Sequence, residues 1–413
     1  METAASVATA DWFLRPGAQA VFACLNREGF EARAVGGAVR DALLGRPVAD
    51  VDFATTAKPE DMLRLAKEAG IKTVPTGIAH GTVTLIAHSE PYEVTALRRD
   101  VSTDGRRATV AFSSDWAEDA RRRDFTMNAL YADAAGCVHD PLGGLEDLRA
   151  GRVRFAGGAT QRIREDYLRT LRFFRFSAEY SAGEFDPEGV AAAIRERAGL
   201  LKLSRERVRA ELLRILTARR AGEAVATMDE TGILELLLGG VTRRIRFERL
   251  CRIEAALGLK PDAIFRLGAL GLFVHEDAGR IALKLRLSTQ EAKDLEGLSA
   301  TVPPVCAPAG KAALEAALYR LGARLYLGRL LLAWADAGAA PDDPAWHAAA
   351  GLAASWQRPV FPLGGEDMIA LGMQPGPAIG AALKGLEEAW IAGGFTADRG
   401  ALLELARQKV AAG

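Results

Sequence analysis

The chain has 413 residues and a mass of 44.1 kDa, more than one ordinary hydrophobic core holds and enough for two or three domains. Its 53 Lys and Arg balance 53 Asp and Glu, so any surface for polyanions has to be local. At 49% hydrophobic and 26% charged it is a folding sequence, not a disordered tail. Cys24, Cys137, Cys251 and Cys306 lie far apart with no CxxC pair, which excludes a zinc ribbon and points to a reducing, cytoplasmic setting. Five scattered histidines supply no HExxH-type motif. No basic segment with a following apolar run opens the chain, and arginines interrupt the Leu-rich stretch 316–333. Neither a signal peptide nor a membrane-spanning helix is expected.

In chain order, Ala34-Val35 runs into Gly36-Gly37, and Ala38 to Leu44 reads as a short helix stopped by Gly45 and Pro47. Val51 and Phe53 alternate with Asp50 and Asp52, a strand with one acidic face. Residues 59–69 read as a helix with Pro59 in its first turn. Two more strands are expected at Thr82 to Ala87 and Tyr92 to Leu97. From about residue 158 strand signals almost vanish. Thr160 is placed to cap a helix in which Ile163, Tyr167, Leu168, Leu171, Phe174 and Ala178 keep a 3.6-residue period. Ser204 is placed to cap another, with Val208, Leu212, Ile215 and Leu216 as its stripe. Helices broken by Gly and Pro continue to Leu405, and the Pro/Gly/Ala-rich stretch 338–380 reads as a loop-rich subdomain or a hinge. No solenoid repeat is present. The fold class is α+β, an α/β head on a long all-helical remainder.

Chemistry concentrates in five places. The glycine pair Gly36-Gly37, entering a helix, lets backbone N–H groups approach a phosphate, and Arg40 one turn later is placed to grip it. Asp50 and Asp52 at i and i+2 point their carboxylates the same way, which is unfavourable without a cation between them. Magnesium takes one or two carboxylates plus substrate phosphates. A solvated strand edge is the plain alternative, and phosphatases and glycosyltransferases also carry Asp-x-Asp; Ala54 and the preceding glycine turn disfavour both. Glu93, in the strand Tyr92-Glu93-Val94-Thr95, is either a third carboxylate or a solvent-facing residue.

In Arg121-Arg122-Arg123-Asp124-Phe125-Thr126-Met127-Asn128, Arg suits phosphate while Asp and Asn suit a ribose hydroxyl. Along 164–175, Asp166, Arg169, Arg172 and Arg175 recur at steps of three, which makes either a surface ion-pair ladder or a base reader. Asp accepts from the amino group of cytosine or adenine and Arg donates to the adjoining ring nitrogen, whereas guanine and uracil present a carbonyl oxygen to Asp.

These motifs, in this order, resemble class II tRNA nucleotidyltransferases, the CCA-adding enzymes, with bacterial poly(A) polymerases as close relatives. Asp104-Gly105-Arg106, Asp140-Pro141-Leu142-Gly143-Gly144, Glu165-Asp166-x-x-Arg169, Ser204-Arg205-Glu206-Arg207 and the late segment Pro375-Gly376-Pro377-x-Ile379-Gly380 fit the same pattern. The resemblance covers about residues 25 to 395. It implies a polymerase-β-like nucleotidyltransferase head at 1–157, a mixed sheet with helices, then a helical neck at 158–225, a body at 226–340 and a tail at 341–413. It implies Asp50 and Asp52 as Mg2+ ligands with Glu93 as a less secure third catalytic carboxylate. It further implies nucleotide contacts by Gly36, Gly37, Arg40, Arg123, Asp124, Asn128, Asp166, Arg169, Arg172 and Arg175. Asp104-Gly105-Arg106 would be a flexible loop that helps the switch from C to A.

The expected activity is template-independent addition of CCA to the tRNA 3′ end from CTP and ATP. The alternatives are a poly(A) polymerase or partial adder of the same family, and a non-catalytic RNA-binding protein of the same fold. The few histidines argue against an added phosphohydrolase domain. The sequence does not specify an oligomeric state.

Overall fold

The computed structural model describes residues 5–104, 107–299 and 305–412. The chain divides into two compact units, Met1–Leu237 and Leu238–Gly413. The borders expected at 157/158, 225/226 and 340/341 are finer than this division.

In the first unit the strands are β1 (Ala32–Val35), β2 (Asp52–Thr55), β3 (Lys72–Gly77), β4 (Thr82–Ala87), β5 (Glu90–Ala96), β6 (Arg98–Asp104), β7 (Arg107–Phe112), β8 (Tyr131–Ala132) and β9 (Val138–His139). Seven of them form one mixed sheet in the order β3-β4-β5-β2-β1-β8-β9, with β6 and β7 as a separate antiparallel hairpin. Every neighbour pair in the large sheet is antiparallel except β2 with β5. The helices here are α1 (Pro16–Leu25), α2 (Gly37–Leu43), α3 (Pro59–Glu68), α4 (Trp116–Arg121), α5 (Gly144–Arg149), α6 (Ala159–Glu165), α7 (Leu168–Tyr180), α8 (Pro187–Glu196), α9 (Arg205–Thr217), α10 (Ala221–Glu230) and α11 (Ile233–Leu238), on which the division falls.

The strands expected near residues 34, 52, 82–87 and 92–97 are present, as are the helices after Gly37 and at Pro59. The acidic strand is shorter than expected: β2 begins at Asp52, and Asp50 lies in its lead-in. The inside–outside alternation nonetheless runs through, with Val51 and Phe53 buried and Asp50 and Asp52 exposed. Of the expected loop, Gly105 and Arg106 lie outside the described residues, and Asp104 ends β6.

The helix expected to run from Thr160 is two helices. Asp166 adopts an extended conformation (φ −153°, ψ 107°), and its Oδ1 accepts the Leu168 N–H at 3.1 Å, so it ends α6 and starts α7. The apolar period survives the break because Ile163, Leu168 and Leu171 stay buried on both sides of it. Gly158, not Thr160, is the N-cap of α6. Ser204 does precede α9, but its side chain makes no capping hydrogen bond.

A line of aromatic rings joins the sheet region to α7. Phe125 meets Phe155 and Phe176 at 5.1 Å each, and Phe155 stacks on Phe173 at 5.5 Å. The Asp140–Gly144 turn locks a nearby segment. The Asp140 carboxylate accepts the N–H groups of Gly144 (2.8 Å) and Leu145 (2.9 Å), which starts α5. Asp147, fully buried on that helix, accepts from Thr126 Oγ1 at 2.6 Å and from Arg152 and Arg154. Thr126–Asn128, a 3₁₀ turn, is thereby clamped against α5.

The second unit is helical among its described residues: α12 (Arg244–Ala256), α13 (Ala263–Gly271), α14 (Glu276–Leu285), α15 (Thr289–Ser299), α16 (Lys311–Ala337), α17 (Pro344–Ser355), α18 (Gly365–Ala370), α19 (Pro377–Ala392) and α20 (Arg399–Ala412). Gly322, at φ 72°, kinks α16. Tyr319, Met368, Leu386, Trp390 and Leu402 share a core that covers the last helices. The stretch 338–380 holds α17, α18, the start of α19 and the loops between them. No described helix is long and apolar enough to cross a membrane.

Gly144 has no room for a side chain, because a Cβ there would lie 2.2 Å from the Thr126 carbonyl oxygen. Gly144→Ala should therefore lower stability by about 1–3 kcal/mol or more, as overpacking does. A urea midpoint equal to wild type would contradict the clamp.

Candidate active site

The site grows from the end of β1. Gly36 sits at φ 73°, a conformation that favours glycine, and its N–H bonds the Leu130 carbonyl at 3.1 Å. A Cβ at Gly36 would meet only ordinary neighbours, Asn128 O at 3.6 Å and Arg123 Nη1 at 3.8 Å, so the requirement is conformational. The same distances put the Arg123 guanidinium beside the glycine turn.

Strand register brings the carboxylates to this place. Val35 pairs with Asp52 across β1 and β2, and Phe53 pairs with Val94 across β2 and β5. One step back along that parallel register sets Asp52 beside Glu93. Burial, the Glu93 charge and the Asp50 charge push the Asp52 carboxyl above its ordinary range, with Arg123 pulling it down. Asp52 opens to solvent but sits in a recess of like charge. Such a set suits a hard divalent cation. Among the described residues no three His, Cys, Asp or Glu side chains form a ready-made metal cluster, so a cation here would draw ligands from substrate or water as well.

Arg123 is oriented by residues the motif reading passed over. Its Nε and Nη2 donate to Asp119 Oδ2 at 3.1 and 3.0 Å, and Nε also reaches the Tyr131 hydroxyl at 3.1 Å. Tyr131 in turn donates to Asp119 at 2.8 Å, and Arg122 binds the other Asp119 oxygen. Burial alone would raise the Asp119 carboxyl, but Arg123, Arg122 and Tyr131 outweigh it and hold it below the usual range.

Arg40 is engaged inside the protein. Its guanidinium is buried, bidentate to Asp41 (2.9 and 2.8 Å), donates to Asn128 Oδ1 at 2.6 Å and lies 4.2 Å over the Tyr180 ring. It supports the glycine turn from inside. Asp124 and Asn128 are likewise internal. Asn128 Nδ2 donates to Asp124 Oδ1 at 3.0 Å, which also accepts the Phe125 N–H. Asp124 Oδ2 accepts from Arg172 Nε at 2.9 Å and from its Nη2. These bonds form one chain, Asp41–Arg40–Asn128–Asp124–Arg172, that ties α2 to α7. Burial would raise Asp124, but Arg172, Asn128 and the Phe125 N–H leave it below the usual range.

On α7, Arg175 Nε donates to Glu211 at 2.6 Å, and Glu211 lies 3.9 Å from Arg172. Phe176 carries three guanidinium groups against its ring: Arg175 at 4.3 Å, Arg172 at 5.3 Å and Arg40 at 5.4 Å. The expected Asp166–Arg169 pair is adjacent but not paired to itself. Asp166 Oδ2 accepts from Arg207 Nη2 at 2.7 Å; Arg169 Nη1 donates to Glu165 at 2.6 Å and to the Arg162 carbonyl at 2.9 Å. Arg162, also buried, donates to the Arg122 and Arg123 carbonyls. Arg40, Arg162, Arg172 and Asp119 thus meet on segment 122–128. Asp119, Tyr131, Phe176, Arg207 and Glu211 were missed as site residues, although Arg207 stands in a motif already noticed.

Residues 32–154 match the poly A polymerase head domain, and residues 185–243 match a family described as a probable RNA and SrmB-binding site of polymerase A. The mitochondrial CCA tRNA nucleotidyltransferase 1 of Mus musculus is 34% identical over 391 residues, covering 91% of this chain and 86% of that protein. The CCA-adding enzyme of Levilactobacillus brevis is 31% identical over 409 residues, covering 94% and 96%. The solved CCA-adding enzyme of Bacillus stearothermophilus, in complex with CTP, superposes with a TM-score of 0.72 at 28% identity, over 96% of this chain and 97% of that one. The fold is that of a polymerase-β-like nucleotidyltransferase head followed by helices. The chain belongs to the CCA tRNA nucleotidyltransferase family.

The depressed Asp119 and Asp124 groups set a pH dependence. Each contributes stability that is present above its unfolded-state pKa of about 3.9 and is lost as pH falls through the lower folded value. Unfolding free energy should therefore drop steeply below about pH 4. Asp124→Asn leaves Arg172 with only the more distant Glu211 carboxylate, at 3.9 Å; it should cost about 3 kcal/mol at neutral pH and flatten the acid limb. Urea titrations across this pH range check both, and an unchanged acid limb would contradict the assignment.

Proposed function

We propose that this protein adds C, C and A in turn to the 3′ end of tRNA without a nucleic-acid template, using CTP and ATP and releasing pyrophosphate. The observation that carries this reading is the meeting of Asp52, Glu93, Arg123 and the Gly36 turn on adjacent strand ends, in a chain related along nearly its whole length to CCA-adding enzymes.

In this reading the primer's 3′-hydroxyl attacks the α-phosphate in line and pyrophosphate leaves. Asp50 and Asp52 would hold Mg2+, with Glu93 as the third carboxylate. Bound there, Mg2+ would supply activation of the attacking hydroxyl and offset charge on the leaving pyrophosphate. Arg123, held charged by Asp119 and Tyr131, donates to the triphosphate, and the Gly36-Gly37 backbone leaves it room. Asp166 accepts from the amino group of C or A, while Arg169 donates to the ring nitrogen. Arg207 and Glu165 orient those two side chains. Arg172 and Arg175, paired with Asp124 and Glu211, line the same helix toward the nucleotide. A cytoplasmic site of action belongs to this reading, supported by four free cysteines; the mouse relative is mitochondrial.

The poly A polymerase head match favours one second reading, a poly(A) or partial adder. Labelled CTP and ATP, supplied separately and together to tRNA lacking its 3′ end, separate the two. Full addition predicts C incorporation alone, and A only after two C residues; runs of A without CTP would favour the alternative.

Asp50→Ala and Asp52→Ala should each abolish incorporation while leaving tRNA binding largely intact, because metal ligands act mainly on the chemical step. Near-wild-type turnover in both would overturn the metal assignment. Asp166→Ala should instead change nucleotide choice. A charge-assisted hydrogen bond is worth about 1.5–3 kcal/mol, or roughly one to two decades of CTP-over-UTP discrimination in kcat/KM. An unchanged ratio in the folded variant would mean that the base is read elsewhere.

A further inference from the structure

A cavity of about 410 Å³ in the second unit lies between the start of α12 and the end of α16, and its charge is unbalanced. Four of its lining residues are Arg243, Arg244, Arg246 and Arg249. Helix N-termini carry positive partial charge and favour acidic residues. The first turn of α12 has no acidic residue and no side-chain cap; Arg243 stands at the N-cap, followed by Arg244 and Arg246. This arrangement opposes the dipole unless an anion sits there.

The partners present do not neutralise it. Arg244 pairs with Glu248 at 2.6 Å. Arg243 and Arg246 share one carboxylate, Asp336, at 2.7 and 3.7 Å. Arg249 donates to the Ala335 carbonyl at 3.1 Å, capping the last turn of α16. Among the described residues, Arg243, Arg246 and Arg249 therefore face a single carboxylate, Asp336. Arg246 is the independent sign. It is 8% exposed, its Nη1 is spent on the Leu272 carbonyl at 2.8 Å, and its Nε has no hydrogen-bond partner. Burial pulls its pKa down to about 10. A buried guanidinium this poorly matched costs stability when the cavity holds only water. Beside it, Phe273 is half exposed with the Arg243 guanidinium 5.2 Å over its ring.

We infer that this cavity binds a phosphate group through Arg243, Arg246, Arg249 and the first N–H groups of α12. The phosphate has two sources, a small free phosphate or the backbone of bound RNA. Only the second rests on the reading of this chain as a tRNA-modifying enzyme.

The test titrates inorganic phosphate into the full chain without magnesium or nucleotide, and separately measures affinity for tRNA lacking its 3′ end as a function of salt. The variants are Arg243→Ala and Arg249→Ala, with Arg246→Lys as a charge-preserving third in which only the fork geometry is lost. If the source is free phosphate, wild type gains thermal stability with phosphate concentration, and affinity falls about tenfold in Arg243→Ala, the loss of one charge-assisted hydrogen bond. If the source is RNA, phosphate gives no difference between wild type and variants, and the salt dependence of tRNA affinity falls by about one unit of slope per lost contact. Either result supports the site. Variants that fold like wild type and match it in both measurements would overturn it. Incorporation at saturating tRNA is followed in parallel: a wild type that binds phosphate here but incorporates nothing would sink the proposed activity alone. An active wild type with neither binding effect would sink this inference alone.

Discussion

Segment 122–128 has to keep ionised side chains paired where little water reaches, and the geometry of the first unit depends on that constraint. Removing one partner from a buried ion pair leaves an uncompensated charge, which is far costlier than never forming the pair. Asp119 therefore fixes Arg122 and Arg123 together, and Asp124 fixes Arg172. Asn128 connects that second pair to Arg40 and Asp41. Such a chain has few alternative arrangements, so the glycine turn, the strand ends and α7 are held in one relation. The clamp from Asp147 to Thr126 sets the same segment from its other side.

The division of labour follows from which arginines are consumed internally. Arg40 and Arg162 are buried and hydrogen-bonded to protein groups, Arg40 to Asp41 and Asn128 and Arg162 to the Arg123 carbonyl, so both carry structure. Arg123 spends Nε and Nη2 on Asp119 and Tyr131 while its Nη1 lies near Gly36, so it is oriented and also available. Asp166 and Arg169 are each held by a different neighbour, Arg207 and Glu165, which orients a donor and an acceptor side by side without letting them neutralise each other.

Much of this was legible in the sequence. The Gly36 turn, the acidic strand, and the order of motifs identify the head and its carboxylates, because φ > 0 and two-residue alternation leave direct marks on residue choice. What was not legible was partnership. Arg40 and Arg123 look alike as letters, and only the tertiary fold buries one under Tyr180 and brings the other to Gly36. The break at Asp166 was hidden because the apolar stripe continues across it. Strands β8 and β9, two residues each, are too short for any period to register. The unbalanced charge around Arg246 needs α12 and α16 side by side, which no local pattern announces.

The central claim is that the Asp124–Arg172 pair is part of one coupled chain rather than two independent surface charges. A double-mutant cycle with Asp124→Ala and Arg172→Ala, read by equilibrium unfolding and by kcat/KM for CTP, tests it most directly. The account predicts a coupling energy of about 1–3 kcal/mol in stability, with the double variant less damaged than the sum of the singles. Strict additivity in both readouts would contradict it.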